Sequence, residues 1–311
     1  MKVSAIIPTF RRPQLIARSL ESVLAQTHRP LELIVIDDGS GDDTPRVLET
    51  FATRAKAANV DFKFFTVPNG GPGLARNVGM QQATGDLFAF LDDDDAWMPD
   101  KLATQVAALA AKPAAGVSFT QYVHAGSDVA KPSAESLRDG WCFKSLCEGN
   151  TRAHLQTLMV RREVTQRCGG FLPLYNFEDA EFALRASLDF EFVAVPRALT
   201  VIHGAPTSVS REAGLEGDLK RDAIKLKALE EFAAKYASHA RFDGAALKNY
   251  RARIYDEHIK HLLWLGRVGE ARDARHRALA DCGDLAILRN LGGKIRKARA
   301  LGWFGMRLKK P

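Results

Sequence analysis

The first 122 residues alternate short apolar runs with longer segments whose apolar residues recur at helical spacing. The short runs are typical of strands buried on both faces, and the longer segments are typical of helices that cover a sheet. This alternation predicts an α/β fold with a mostly parallel sheet flanked by helices. The predicted strands are Val3–Ile7, Leu31–Ile36, Phe62–Val67, Leu87–Leu91 and Gly116–Tyr122, and the predicted helices are Pro13–Gln26, one that begins at Thr44, Leu74–Ala83 and Pro99–Ala111.

The pattern changes twice further along the chain. Residues 123–214 are less regular, with a predicted helix at Glu178–Ser187 and predicted strands at Phe190–Val195 and Leu199–Ile202. From residue 215 the apolar spacing is helical throughout, and Gly266 separates two segments that predict an antiparallel helical hairpin. We therefore expect a domain at 1–214, built from halves 1–122 and 123–214, and an α-helical C-terminal module at 215–311.

The composition is that of a folded protein, with 46% hydrophobic and 26% charged residues. The four cysteines have neither zinc-site spacing nor the density of a disulfide framework, which favours a reducing compartment. The apolar run after Lys2 is too short for a signal peptide, and no segment approaches the ~18 apolar residues of a spanning helix. These features predict a cytoplasmic protein.

The net charge of +7 is concentrated at the C-terminal end. From Leu215 onward there are 22 Lys and Arg against 12 Asp and Glu, and no acid follows Asp284. Cations there alternate with aliphatic and aromatic residues. Three interpretations stay open: a solvated helical face, a contact with an anionic membrane surface, or a contact with nucleic acid.

The most informative segment is the apolar run Leu87–Leu91, which ends in the four consecutive acids Asp92–Asp95. Two like charges about 4 Å apart repel by roughly 4 kcal/mol at an effective dielectric of 20, so crowded carboxylates favour a cation. All-oxygen ligands suit Mg²⁺ or Mn²⁺, which complete their shell with phosphates and water. The alternative is a solvated loop whose acids favour the N-terminus of the helix that starts near Pro99.

Functional side chains follow two other predicted strands as well. Pro8-Thr9-Phe10-Arg11-Arg12 follows the first strand, and Asp37-Asp38-Gly39-Ser40 follows the second. Ligands of open α/β sheets bind at the carboxyl ends of strands, so these groups and the acids should line one crevice. The glycine-rich fingerprints of dinucleotide and triphosphate sites are absent. A nucleotide bound here would depend on carboxylate contacts and on a metal ion.

Over residues 1–205 an ordered set of motifs closely resembles family 2 glycosyltransferases of the GT-A fold, which has a Rossmann-like sheet. The motifs are Ile6-Ile7-Pro8-Thr9-Phe10, Val35-Ile36-Asp37-Asp38-Gly39-Ser40, Gly73-Leu74-Ala75-Arg76-Asn77-Val78-Gly79, Ala83-Thr84-Gly85-Asp86, Phe90-Leu91-Asp92-Asp93-Asp94-Asp95, and Gly169-Gly170-Phe171 with Glu178-Asp179. Each motif alone is weak, whereas their order and spacing are specific. The resemblance does not cover residues 215–311.

The resemblance implies a nucleotide-sugar site in which Asp38 would read the base. It also implies a metal site, with Asp94 as the principal ligand, Asp92 beside it and His203 as a further candidate, although a lone His is more often structural. Asp95 would then be only an acid near the next helix. The implied nucleotide-sugar residues are Pro8, Thr9, Phe10, Asp38, Arg76, Asp92 and Asp93.

For the acceptor side, the resemblance implies that Asp179 is the catalytic base. Without it, an acid that favours a helix N-terminus would be the simpler interpretation. Glu178, Trp97 and Gln156 are candidates for the acceptor side, with core packing as the alternative for Trp97.

The implied activity is a metal-dependent, inverting transfer of a sugar from a nucleoside-diphosphate donor, UDP first, to a saccharide or lipid-linked acceptor. Mn²⁺ or Mg²⁺ would be the cofactor, and bacterial surface polysaccharide or glycolipid synthesis the setting. Such an enzyme could lie peripherally at the inner face of the plasma membrane. The rival classes are a nucleotide-sugar-binding module without catalysis and a nucleic-acid-binding protein, and the acidic crevice argues against nucleic acid as a partner.

Overall fold

The computed structural model describes residues 1–127, 138–151, 154–203, 214–303, 306 and 308. The chain divides into two compact units. The first comprises Met1–Cys142, Gly149–Pro173 and Glu178–Ala205, and the second comprises Phe143–Glu148, Leu174–Phe177 and Pro206–Pro311.

The first unit is built on a single mixed sheet, whose described strands follow the order β3-β2-β1-β4-β7-β6-β8-β5. The four strands from β3 to β4 are parallel, β7 is antiparallel to both of its neighbours, β6 and β8 are parallel, and β5 is antiparallel to β8. The strands are β1 Val3–Thr9, β2 Leu31–Asp37, β3 Asp61–Thr66, β4 Leu87–Phe90, β5 Ala96–Trp97, β6 Ala115–His124, β7 Leu158–Arg161 and β8 Glu191–Ile202.

Helices cover this sheet and form the second unit. The described helices are α1 Ile16–Leu24, α2 Thr44–Ala57, α3 Pro72–Gln82, α4 Lys101–Ala111, α5 Phe143–Glu148, α6 Arg162–Cys168, α7 Glu178–Asp189, α8 Gly214–Tyr236, α9 Gly244–Trp264, α10 Val268–Cys282 and α11 Ala286–Trp303. A 3₁₀ turn at Leu155–Thr157 precedes β7. The predictions of an α/β fold with flanking helices and of a helical C-terminal region are confirmed.

Two local differences from the predicted elements have physical causes. The two predicted strands at Phe190–Val195 and Leu199–Ile202 are one strand, β8, because a bulge accommodates the residues between them. The pairing with β6 passes from Val195 directly to Ala198, so Pro196 and Arg197 are left out of the ladder. Strands β5 and β7 and helix α5 were not predicted, because each is too short to show a period.

The register of the parallel strands brings three functional segments to one edge. Thr9 pairs with Asp37 across β1 and β2, and Ile6 pairs with Phe90 across β1 and β4. The residues that follow these strands therefore leave the sheet side by side at its carboxyl edge. Every residue of β1, β2 and β4 is buried, so both faces of these strands are covered.

The second unit has its own core, in which side chains of α9 meet those of α8, α10 and α11. The buried residues include Leu219 of α8, Ile259 of α9, Ala274 of α10 and Leu291 of α11. Three alanines of α10, Ala271, Ala274 and Ala278, are fully buried in this core. In the described part of the chain, no helix combines the length and the apolar character that crossing a bilayer requires.

Candidate active site

The four acids form a turn directly after β4, held in shape by the backbone and by α1. The Asp95 N–H donates to the Asp92 carbonyl at 3.2 Å. The Ser19 hydroxyl of α1 lies 3.1 Å from the Asp92 carbonyl and 2.7 Å from the Asp95 carbonyl. The backbone conformation of the turn is therefore held by its own hydrogen bond and by Ser19 of α1.

Residues from the end of β1 to α1 contact the middle of the acidic turn. The Thr9 hydroxyl donates to Asp93 Oδ2 at 2.8 Å. The Arg12 Nη1 group donates to Asp93 Oδ1 at 2.9 Å and to Asp94 Oδ2 at 3.2 Å. Arg18 adds a bond from Nη2 to the Asp94 carbonyl at 2.7 Å. Arg12 belongs to the segment after the first strand that was predicted to line the crevice, although it was given no role there, and Arg18 was not predicted.

Neutral groups contact the other side of the turn. The Gln156 Nε2 group donates to Asp92 Oδ2 at 2.6 Å and to Asp95 Oδ2 at 2.9 Å. The backbone N–H of His203 donates to Asp95 Oδ1 at 2.7 Å. The buried Trp97 indole donates to the Gln156 carbonyl at 2.8 Å and so fixes the backbone that carries this amide. Gln156 and Trp97, predicted for the acceptor side, thus lie at the acidic cluster.

The carboxylates carry more negative charge than their surroundings easily accept. Burial, followed by the charge of Asp92, raises the pKa of Asp95 to about 8. Burial also raises the pKa of Asp93 to about 6, although Arg12 opposes the rise. The pKa of Asp94 is raised as well, first by burial and then by Asp92. A divalent cation would reverse such shifts, because it favours the ionised carboxylates.

Three of the acids have the chemistry and spacing of a divalent-cation site. Asp92, Asp94 and Asp95 each offer a carboxylate oxygen, and the three oxygens lie within 4.8 Å of one another. An all-oxygen set of this kind fits Mg²⁺ or Mn²⁺. The group includes Asp95, which was predicted to be only an acid near the next helix. His203 contributes its backbone N–H to Asp95, and its Nδ1 lies 3.3 Å from the Val201 carbonyl.

A buried arginine connects the acidic turn to the Glu178-Asp179 motif. Arg76 of α3 donates through Nη2 to Asp92 Oδ1 at 2.6 Å and through Nη1 to Glu178 Oε1 at 3.2 Å. Burial lowers the pKa of Arg76, but Asp92 and Glu178 outweigh burial and hold it above its usual value. Its guanidinium also lies 5.7 Å from the centre of the Phe171 ring. Segments 16 and 102 residues away from Arg76 are thereby joined.

The two acids of that motif have different environments. Glu178 is 7% exposed, and burial raises its pKa although Arg76 opposes the rise. Asp179 is only half-buried, and its Oδ1 accepts the N–H of Ala180 at 2.7 Å at the start of α7. Glu178 is therefore paired with Arg76, whereas the Asp179 side chain is partly exposed to solvent.

The Asn77 side chain holds the motif around Arg76 against the Gly169-Gly170-Phe171 motif. Its Nδ2 donates to the Phe171 carbonyl at 2.8 Å, and its Oδ1 accepts the Phe171 N–H at 2.7 Å. A Cβ on Gly170 would collide with the Asn77 carboxamide. Gly170 thus lets the chain approach α3 closely, next to the helix position that follows Arg76.

Asp38 is buried at the same sheet edge and holds a loop. Its carboxylate accepts hydrogen bonds from Asn69 Nδ2 at 3.0 Å and from the N–H groups of Gly70 and Gly71 at 2.8 and 2.9 Å. Of the other predicted nucleotide residues, Pro8 is buried within β1, and Phe10 is 38% exposed at the strand end. The structure thus brings Thr9, Arg76, Gln156, Glu178 and the four acids into one network, with Asp38 bonded to the neighbouring loop.

Comparison with known proteins gives this arrangement a family. The family model for glycosyl transferase family 2 matches residues 4–180. An uncharacterized glycosyltransferase of Nostoc is 33% identical over 173 residues, which cover 54% of this chain and 53% of the relative. The GalNAc(5)-diNAcBac-PP-undecaprenol beta-1,3-glucosyltransferase of Campylobacter jejuni is 37% identical over 105 residues, 33% of each chain. The match therefore spans about half or less of these relatives.

Solved structures with the same fold cover nearly the whole chain. Staphylococcus aureus TarS (1–349) in complex with UDP-GlcNAc has a TM-score of 0.60 at 18% identity, covering 94% of this chain and 92% of that one. The mannosyltransferase PcManGT of Pyrobaculum calidifontis in complex with GDP-Man and Mn²⁺ has a TM-score of 0.63 at 19% identity, covering 95% and 80%. The predicted GT-A fold is confirmed. With the family model matched over more than half of its length, this chain belongs to glycosyl transferase family 2.

Proposed function

We propose that this protein is a metal-dependent, inverting glycosyltransferase that moves a sugar from a nucleoside-diphosphate donor, with UDP as the first candidate, to an acceptor hydroxyl. The observation that carries this proposal is the network in which Arg76 joins Asp92 of the acidic turn to Glu178, next to Asp179. A single hydrogen-bonded network would then position both the residues that bind the sugar donor and the residues that face the acceptor hydroxyl.

The acidic turn would hold the metal ion through Asp92, Asp94 and Asp95. Mn²⁺ or Mg²⁺ bound there would act as a Lewis acid that stabilises negative charge on the departing diphosphate. The Mn²⁺ in the mannosyltransferase structure supports this assignment. Thr9 and Arg12 position Asp93 and Asp94, and Gln156 positions Asp92 and Asp95, so the ligand set is preorganised.

In this proposal Asp179 is the general base. An acceptor hydroxyl is a weak nucleophile at neutral pH, so a carboxylate must accept its proton as it attacks the anomeric carbon. Asp179 is partly exposed, and it is adjacent in sequence to Glu178, which accepts a hydrogen bond from Arg76. Attack on one face of the sugar with departure from the other is a single displacement, which inverts the anomeric configuration through an oxocarbenium-like transition state.

The acceptor that we propose is a saccharide or a lipid-linked saccharide of bacterial surface polysaccharide or glycolipid synthesis. The Campylobacter relative supports this, because its name describes an undecaprenol-linked substrate. We accordingly place the protein in the cytoplasm, peripherally at the inner face of the plasma membrane.

The test is a screen of nucleotide-sugars with Mn²⁺, Mg²⁺ or a chelator, reading thermal shift, donor hydrolysis and transfer. Asp94→Asn should abolish the metal-dependent thermal shift. Asp179→Asn should retain the donor-induced shift but lose about 10²–10⁴-fold in turnover, the usual contribution of a general base. Asp273→Asn, on the exposed surface of α10, is the matched control and should behave as wild type. Unchanged turnover in Asp179→Asn would instead favour a nucleotide-sugar-binding module in which Asp179 only caps α7.

A further inference from the structure

The outer face of α11 is strongly basic. The helix Ala286–Trp303 contains no Asp or Glu, and its cationic residues are all exposed. They lie between Arg289 and Arg299, roughly 15 Å along the helix axis, and together form a basic stripe on its exposed side. The cations are Arg289, Lys294, Arg296, Lys297 and Arg299.

The opposite face of α11 is apolar and is covered by the second unit itself. Leu288 and Leu291 are fully buried and Ala298 is 4% exposed, in a core shared with α9 and α10. Ile295 packs against the same core. These aliphatic side chains are therefore not available to insert into a bilayer, and the exposed side of α11 between Arg289 and Arg299 carries the charges.

The charges on the outer face are largely uncompensated. Arg289 has a single long ion pair with Asp284 at 3.5 Å, and both side chains are more than half exposed. Lys294, Arg296 and Lys297 have no ion pair with any residue that the structure describes. Such a stripe attracts a polyanion, and its attraction is sensitive to salt.

A second helix contributes a further cation at the border of this face. The Arg275 Nε group of α10 donates to the Leu288 carbonyl at 2.9 Å. Its guanidinium lies against Gly292, where a Cβ would meet it at 3.5 Å. The small residue on α11 lets Arg275 lie along the helix, which fixes this positive charge beside the stripe.

We propose that the basic face of α11 docks on an anionic lipid surface by charge alone, without inserting side chains. The exposed cations of α11 are complementary in charge to an array of anionic headgroups, and the described outer side chains of α11 include no aromatic ring for base stacking. The inference rests on the proposed function for its purpose, which is access to a lipid-linked acceptor. Its test reads lipid binding alone.

The experiment measures sedimentation of the full chain with phosphatidylcholine vesicles and with vesicles that also contain phosphatidylglycerol. Each Lys or Arg near an anionic surface contributes about a fivefold change in partitioning, so Lys294→Gln, Arg296→Gln and Lys297→Gln together should weaken binding by about 100-fold. The control removes the same charge from exposed positions of α8, with Lys220→Gln, Lys227→Gln and Lys235→Gln, and should bind as wild type. Neutral vesicles should not bind the protein, and about 1 M NaCl should release it from anionic vesicles.

Several outcomes would overturn the proposal. Equal losses in the α11 and α8 variants would mean that total charge matters and not this face. Binding that survives high salt would mean insertion. A duplex oligonucleotide that binds the same three residues more tightly than the vesicles would reassign the face to nucleic acid. Thermal melting and donor hydrolysis of the α11 variant should equal those of wild type, so a failure here is distinct from a failure of the proposed transfer activity.

Discussion

The ion pairs of Arg76 with Asp92 and Glu178 predict how much stability is lost when Arg76 is replaced, because the loss depends on how deeply the partners are buried. The side chains of Arg76 and Glu178 are 5% and 9% exposed, whereas that of Asp92 is 31% exposed. Removing one partner of a buried ion pair costs about 3–5 kcal/mol, because the other charge is left without compensation. An exposed pair contributes at most about 1 kcal/mol. The stranded Glu178 carboxylate should therefore dominate the loss in Arg76→Met.

The two single variants and the double variant should consequently be non-additive. We expect Arg76→Met to lower the free energy of unfolding by about 4 kcal/mol. Glu178→Gln should lower it by about 1–2 kcal/mol, since Arg76 keeps Asp92 and a neutral acceptor. The double variant Arg76→Met, Glu178→Gln has no stranded charge at Glu178 and should be at least as stable as Arg76→Met alone. The coupling energy is then about 2 kcal/mol.

The assay is thermal unfolding of the full chain at pH 7, with hydrogen exchange of β4 peptides to assign the transition to the first unit. A loss of about 4 kcal/mol corresponds to a fall of roughly 10 °C in Tm for a unit of this size. Arg54→Met is the control, because Arg54 pairs with Glu21 while both side chains are about half exposed, and its Tm should barely change. Additive losses in the double variant, or an Arg76→Met shift no larger than that of Arg54→Met, would refute the reasoning.

Three further predictions concern stability. Burial raises the pKa of Glu32, but hydrogen bonds to its carboxylate, the strongest from Ser4, outweigh burial and lower the pKa to about 2. The ionised carboxylate therefore stabilises the fold above the usual pKa of 4.5. That stability is lost as pH falls towards 2, and Glu32→Gln should flatten Tm against pH in this window. Lys101 is fully buried, and burial lowers its pKa well below the usual value. Keeping this amine neutral or burying its charge costs more at low pH, so Lys101→Met should raise Tm at pH 6 more than at pH 9. An equal rise at both pH values would mean that the charge is not involved. Gly170→Ala should destabilise by about 1–3 kcal/mol through its clash with Asn77, and Asn77→Ala in the same chain should relieve part of that loss on urea unfolding.

The position of the site was predictable from the sequence because its strands are fully buried. Strands β1, β2 and β4 are near-continuous apolar runs, and the residues after them are polar. Parallel strands must leave the sheet at a common edge, so the sequence alone placed Thr9, Asp38 and Asp92 together. No information about contacts was needed for that step.

The partners within the site were not predictable, because they depend on long-range contacts. Gln156 reaches Asp92 across 64 residues, and β7, which follows Gln156, is too short to show a period. The sequence does not show which groups donate to the Asp38 carboxylate, whereas the fold shows donors from the loop at Asn69. A carboxylate in a turn has several potential donors, and local sequence does not rank them.

The sequence also left open whether the acids serve the dipole of the next helix, and the position of α4 weakens that alternative. The helix begins at Lys101, and the residue just before it is Asp100. Asp95 lies a further turn away, buried, with its carboxylate bonded to Gln156 and to the backbone of His203. A helix dipole acts within its first turn, so it does not offset charge at the acidic cluster.

Cations must therefore offset that charge, and the arginines do so unevenly. Arg12 contacts two of the acids, Asp93 and Asp94, and Arg76 contacts Asp92. No arginine that the structure describes forms an ion pair with Asp95, and the pKa of Asp95 is raised to about 8. Asp95 lies with Asp92 and Asp94 in the group whose carboxylate oxygens are within 4.8 Å of one another. A divalent cation bound by these three oxygens would remove the most charge repulsion.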